Sequence, residues 1–282
     1  MEHPLEPHLE RRPVLLVIAG HDPSGAGVQA DLETAAALGC RAASLITCLT
    51  IQNTRGVKAK LPTAPKFLEE QAAWLLEDLS PPAACKLGLI PTLEVLEAVL
   101  NILAMLPVGT PIILDPVLGA SAGGPLSDSS MAMAIRERLL PLTVLSTPNL
   151  GEARRLFDND GTPQVRAGSS LGWVLTTGAD EPGNRITHRL HQADELFAVY
   201  HWPRLRGVFH GSGCTLASAL AATIANGVDM QEAVRDAQEY TWQSLKLAFR
   251  PGMGQYIPDR LFWARDDEAA TEATEDDGEP KT

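Results

Sequence analysis

PVLLVIAGHDPSGAGVQADLETAAALG, residues 13–39, sets the architecture of this chain. Its first eight residues form a short apolar run closed by Gly20, the composition of a strand buried on both faces. From Val28 onward, Val28, Leu32, Ala35, Ala36 and Leu38 fall at helical spacing, and Gly39 supplies a stop. The intervening HDPSGAG has the residues of a turn. A strand passing through a glycine-rich turn into a helix is the first half of a βαβ crossover, which brings the next strand back parallel.

The same rhythm continues outward. ASLITCLT (43–50) reads as a second strand, and PKFLEEQAAWLLEDL as a helix with Phe67, Leu68, Ala72, Leu75 and Leu79 on one face. ACKLGLI, PIILDPV, TVLSTPN and WVLTTG read as further strands, with TLEVLEAVLNILAML and SMAMAIRERLL as helices among them. Strands alternating with helices predict an α/β fold with a mostly parallel sheet covered on both faces. Two stretches break the pattern: residues 185–201 alternate like an antiparallel pair, and 212–249 read as two successive helices. No internal repeat is present. The expected organisation is a flexible extension over 1–12, one domain over 13–262 and an acidic tail over 263–282.

Composition narrows the function. With 45% hydrophobic and 21% charged residues the chain can bury a sizeable core. The opening MEHPLEPHLERR lacks the apolar run of a signal peptide, and no segment offers ~20 consecutive apolar residues, so a cytoplasmic protein with no membrane partner is expected. Cysteines 40, 48, 85 and 214 form no C-x-x-C pair, which argues against a disulfide framework or a zinc site. Cys40, Cys48 and Cys85 read as small buried hydrophobes. Of the net charge of −12, the tail from Arg265 carries −6, and the mildly acidic remainder has no basic stripe for nucleic acid. Small-molecule partners are expected.

In a doubly wound sheet, ligands sit beyond the carboxyl ends of the strands. There the chain places GHDPSGAG, TIQNTRG, KLGL, DPVLGASAGG, TPNLGE and TTGAD. Turn chemistry alone explains any single loop; six polar loops on one edge indicate a site. GHDPSG lacks the Lys and Ser/Thr of a P-loop, and GSGCTL lacks the third glycine of a dinucleotide fingerprint. HGSGC opens a helix with a run of backbone N–H groups, a natural cradle for a phosphoryl group. Cys214 at that helix start is expected to have a depressed pKa and thiolate character. A helix-capping loop with Cys214 filling a gap is the alternative. TPNLGE holds Asn149 and Glu152 at a spacing that suits a hydrated Mg²⁺ or, equally, a helix cap.

Taken together, AGHDPSGAGVQADL, QNTRGV, KLGL, DPV, TPNLGEA and HGSGCTLASALAA stand in an order that resembles the hydroxymethylpyrimidine/phosphomethylpyrimidine kinases of thiamine biosynthesis, over about Val14 to Pro258. The resemblance implies a three-layer α/β/α ribokinase-like fold. It implies phosphoryl transfer from ATP, with Mg²⁺, to 4-amino-5-hydroxymethyl-2-methylpyrimidine and then to its monophosphate. It assigns Asp31 and Gln52 to the aminopyrimidine, with Gly20, Thr50, Leu89 and Val117 around the ring. Cys214 becomes the base or polariser of the attacking hydroxyl, in the anion-binding turn Gly211, Ser212 and Gly213. Asn149, Thr177 and Gly178, with Gly211 and Gly213, fall to the nucleotide, and Asp115, Asn149 and Glu152 to the metal. The resemblance also implies a homo-oligomer, with 185–201 in a lid or interface.

Four departures stand out. DPSGAG is one glycine shorter than the commoner form, GASAGG and TTGAD each lack a lysine, and the segment between Asn149 and Trp173 is short by roughly a helix. Lys86, Arg55 and Arg185 are candidate replacement cations. The competing readings are a pyridoxal or pyridoxine kinase and a non-catalytic pyrimidine-binding homologue. A cysteine hydrolase built on His210 and Cys214 has no triad to support it.

Overall fold

The computed structural model describes residues 12–119, 129–157, 160–164, 170–179 and 181–264. The expected N-terminal extension up to residue 11, the acidic tail from residue 265 and most of the GASAGG loop lie outside the described residues.

The opening unit forms as its composition dictates: β1 (Val14–His21), α1 (Gly27–Ala37) and then β2 (Arg41–Asn53). β2 pairs parallel to β1, with Val14 opposite Arg41. β3 (Gly56–Pro62) folds back antiparallel on β2, followed by α2 (Pro65–Asp78), β4 (Ala84–Leu87), α3 (Leu93–Met105) and β5 (Ile112–Leu114). Next come α4 (Ser129–Ala134), a short π turn over Ile135–Leu139, β6 (Leu145–Ser146), α5 (Leu150–Phe157) and β7 (Trp173–Thr176). β8 (Arg185–Gln192), β9 (Glu195–Pro203), α6 (Ser212–Ala225) and α7 (Met230–Lys246) complete the described elements.

Among the described residues one sheet runs β3-β2-β1-β4-β5-β6-β7-β8-β9. Its centre from β2 to β7 is parallel, and its two margins are antiparallel. The alternation of side chains along each strand builds two cores. Leu15, Val17 and Ala19 face α1, α6 and α7, whereas Leu16 and Ile18 face the layer of α2, α3, α4 and α5. The expected three layers are therefore present. Residues 185–201 form the expected antiparallel pair and extend the main sheet along β7, rather than standing away from it as a lid.

Two expected helix faces are corrected. On α1 the buried residues are Val28, Ala30, Asp31, Thr34 and Ala35, while Leu32 and Ala36 are exposed. Val28 and Ala35 join the apolar core on this side of the sheet, and Asp31 turns inward to meet Lys86 and Ser218. On α2 only Leu68 and Ala72 are buried, and Phe67 is exposed. β3 was not expected: TIQNTRG reads as a loop, yet Thr50–Asn53 continue β2 and the turn at Thr54–Arg55 leads into β3.

Candidate active site

A cavity of about 450 Å³ opens at the carboxyl edge of the parallel strands. Gly20, Thr50, Gln52, Leu89 and Val117 all line it, which brings together five of the six residues expected to hold the ring. Strand alternation places them: Thr50 and Gln52 point inward from β2, while Leu49 and Ile51, which alternate with them, are exposed on the other face. Thr50 Oγ1 donates to His21 O at 3.0 Å, tying the ends of β2 and β1.

The turn before α6 forms the opposite wall, where Gly211, Gly213 and Cys214 line the cavity. Gly211 is left-handed at φ +75°, and a Cβ there would sit 2.9 Å from Arg260 Nη2 and 3.0 Å from Gly25 O. No side chain caps α6, so its first N–H groups remain as an anion cradle. Ser212 shares this turn but does not line the cavity.

Cys214 overturns one expectation. Burial among the walls pushes its thiol up to about 12, with Lys86 pulling it down and Asp115 and Asp31 adding to the rise. The sulfur accepts from the Gly27 N–H, and the thiol hydrogen-bonds Asp115. Burial, with the two carboxylates adding to it, outweighs the helix start, so Cys214 is a thiol at neutral pH. Asp115 is itself raised by burial and by Asp31, against the pull of Lys86 and the Cys214 bond.

Asp31 is the second correction. It is fully buried, does not line the cavity, and lies 2.8 Å from Lys86 Nζ, with Ser218 Oγ donating to the same Oδ1 at 2.6 Å. In this structure Oδ1 is taken by these two partners, and Oδ2 has no hydrogen-bond partner among the described residues. Lys86 does line the cavity from beneath, and burial alone would lower its pKa; Asp31, Cys214 and Asp115 together raise it. Asp31 thus fixes a buried cation between the two acidic groups of the site.

Asn149 and Glu152 form the reciprocal cap that their spacing allows. Asn149 Oδ1 accepts from Glu152 N–H at 2.9 Å, and Glu152 Oε2 accepts from Asn149 N–H at 3.0 Å. Glu152 Oε1 accepts from Leu118 N–H at 3.1 Å. Both carboxylate oxygens thus bind backbone, and among the described residues no cluster of three or more His, Cys, Asp or Glu could hold a metal. Asp115, Asn149 and Glu152 still line the cavity together with Thr177. Gly178 does not; it packs so closely on β8 that a Cβ would meet Thr187 O at 2.2 Å.

Several groups were not legible as site residues. His210 Nε2 lies 2.5 Å from Asp22 Oδ2 inside the cavity wall. Arg155 lines the cavity, its Nη1 donating to Leu118 O at 2.9 Å, whereas neither Arg55 nor Arg185 reaches it. Arg260 is 2% exposed and donates to Thr215 Oγ1 at 2.9 Å, Glu33 Oε2 at 2.8 Å and Gly25 O at 2.8 Å. The histidine was visible in HGSGC, beside the glycines that drew attention to it. Arg155 and Arg260 stand in helical and C-terminal stretches that carry no local signal.

The family model for phosphomethylpyrimidine kinase matches residues 22–259. A chloroplastic thiamine biosynthetic bifunctional enzyme of Arabidopsis thaliana is 36% identical over 83% of this chain, which spans 46% of that protein's length. The hydroxymethylpyrimidine/phosphomethylpyrimidine kinase of Streptomyces coelicolor is 35% identical over 86% of this chain and 92% of its own. Among solved structures, a phosphomethylpyrimidine kinase from Clostridium difficile superimposes with a TM-score of 0.69 at 27% identity, over 83% of this chain and 100% of that one. Pyridoxal kinase from Staphylococcus aureus reaches a TM-score of 0.78 at 22% identity, over 90% and 95% of the two chains, a likeness of fold.

Proposed function

Since the chain belongs to the phosphomethylpyrimidine kinase family, we propose that it moves the γ-phosphoryl group of ATP onto the hydroxymethyl group of 4-amino-5-hydroxymethyl-2-methylpyrimidine, and then a second onto the monophosphate. One observation carries this reading: a single cavity joins the Gly20, Thr50, Gln52, Leu89 and Val117 wall to the uncapped turn at Gly211–Cys214. An alcohol held against the first wall points its oxygen at a phosphoryl group held by the second.

The chemistry follows from the protonation states. Cys214 enters as a thiol hydrogen-bonded to Asp115. As the alcohol oxygen bonds to phosphorus, its proton passes to Sγ while the thiol proton passes to Asp115, and the bond to the leaving ADP oxygen breaks. Asp115, raised by burial, suits the role of proton sink. Most of the acceleration comes from position and charge, with the turn amides, Lys86 and Arg155 as the cations and donors of this chain. Asp115, Asn149 and Glu152 would be the residues to hold a hydrated Mg²⁺ brought with the nucleotide, which would supply neutralisation of phosphate charge. Thr177 and Asn149, joined by a bridge between the ends of β7 and β6, support the nucleotide side. The exposed pair Leu49 and Leu61, opposite each other on β2 and β3, supports a homo-oligomer.

The test is product analysis. Purified protein with Mg·ATP should convert the pyrimidine alcohol to mono- and diphosphate and leave pyridoxal unconverted; the reverse would place the chain among pyridoxal kinases by activity. Cys214→Ala should lower turnover by ~10²–10⁴-fold with pyrimidine affinity within a few-fold of wild type.

A further inference from the structure

Two turns and a strand meet at one ring nitrogen. His210 Nε2 lies 2.5 Å from Asp22 Oδ2, 3.2 Å from Ser24 Oγ and 3.3 Å from Gln52 Nε2, and His210 is 5% exposed. Asp22 comes from the β1–α1 turn, Gln52 from β2, and His210 from the turn before α6. The other oxygen of Asp22, Oδ1, accepts from the Ser24 N–H at 2.8 Å and from Ser24 Oγ at 2.6 Å. Burial works against the charge on Asp22, yet the hydrogen bonds from His210 and Ser24 hold its carboxyl below the usual range.

An ionised carboxylate only accepts, so the short contact requires His210 to carry its proton on Nε2 and donate it to Asp22. Two N–H groups cannot then face each other across the Gln52 contact. The two ends of a side-chain amide have the same shape, and the positive edge of the Nε2–H that Asp22 holds repels an amide N–H and attracts its oxygen, so Gln52 sets Oε1 on the His210 side and its NH₂ on the side of the cavity that both residues line. We infer that the Asp22–His210 pair fixes the hydrogen-bonding sense of Gln52, so that the pocket selects a ring presenting an acceptor nitrogen to Gln52 and discriminates 4-aminopyrimidines from 4-oxopyrimidines. An aminopyrimidine offers an unprotonated ring nitrogen beside its exocyclic amine. The 4-oxo analogue carries a proton on that nitrogen and an acceptor at the exocyclic position, the opposite order. His210 and Asp22 are positioning residues here, and the inference rests on the pyrimidine-kinase reading.

Asp22→Asn reverses the logic with one atom. The Ser24 N–H retains the asparagine oxygen at the Oδ1 position, which aims the new NH₂ at His210. Nε2 must then accept, the proton moves to Nδ1, and Gln52 turns its own NH₂ toward His210. Dissociation constants for 4-amino-5-hydroxymethyl-2-methylpyrimidine and its 4-oxo analogue, measured by calorimetry without nucleotide, read the outcome. Wild type should prefer the amino compound on the order of tenfold or more, since the oxo compound leaves a buried donor unpaired. Asp22→Asn should collapse or invert that ratio. His210→Ala, which frees the amide to adopt either sense, should also collapse it and serves if the first variant does not fold. A ratio unchanged in the folded variants, with both ligands weakened equally, overturns the inference while leaving the kinase reading intact. Wild-type protein that neither binds nor phosphorylates the amino compound overturns both.

Discussion

A thiol that keeps its proton serves an alcohol differently from a thiolate, and the residues around Cys214 decide which it is. Burial raises it first, Asp115 and Asp31 add to the rise, and Lys86 and the Gly27 N–H oppose them. Lys86 and Asp31 are both fully buried at 2.8 Å, a pair whose separation leaves an uncompensated charge. Lys86→Met should therefore destabilise the protein by about 3–5 kcal/mol, read as a fall in the urea midpoint. The double variant Asp31→Asn, Lys86→Met should recover most of that stability, because both charges are gone, while turnover stays low. Pyrimidine affinity in Asp31→Asn should stay near wild type, since Asp31 does not reach the cavity. At this scale the sequence was half legible. QADL and KLGL were both singled out, but their mutual engagement joins positions 55 residues apart on different elements, and nothing local encodes that. The resemblance pointed to the ligand; the buried lysine took the carboxylate first.

The helix start at Gly211–Cys214 draws its role from geometry that only glycine tolerates at its first position. Gly211→Ala would hold a Cβ in the left-handed region, at about 1–2 kcal/mol, and against Arg260 and Gly25 as well. The turn would shift, so turnover should fall by at least tenfold, with KM for ATP rising more than KM for the pyrimidine. Steady-state kinetics against each substrate separates the two. Helices with long, regular patterns, such as α3, were readable from spacing alone. The β2–β3 hairpin was not, because its outward face carries Leu49, Ile51 and Leu61, so its apolar residues do not report a core. β6, a strand of two residues, was longer in expectation because the β-branched Thr143, Val144 and Thr147 on either side have strand propensity, although the strand itself stops at Leu145–Ser146.

Across the whole molecule, the alternation of strands and helices fixed the class and the three layers, whereas the strand order depends on pairings between distant segments that periodicity does not contain. The β8–β9 pair shows how such pairings are secured: His188 Nδ1 donates to Gln238 Oε1 at 2.9 Å, and Trp202 Nε1 donates to the same oxygen at 3.1 Å, locking the hairpin to α7. Burial pushes His188 down to about 4, against the pull of Gln238 and Glu181. The unfolded chain takes up a proton near pH 6.5 that the folded one refuses until about 4, so stability rises with pH across that window and levels off above it. The change from this group should be on the order of 2–3 kcal/mol. Urea midpoints between pH 4.5 and 7.5 would show it, and His188→Asn, which retains a donor for Gln238, should flatten the profile. Arg260 carries a last consequence, one of timing. It clamps Gly25, Glu33 and Thr215, yet it is synthesised 235 residues after Gly25. A chain still emerging from the ribosome can assemble its early strands and helices long before the clamp exists. The brace on Gly25, Glu33 and Thr215 thus closes only once residue 260 has been made, well after the segments it ties together.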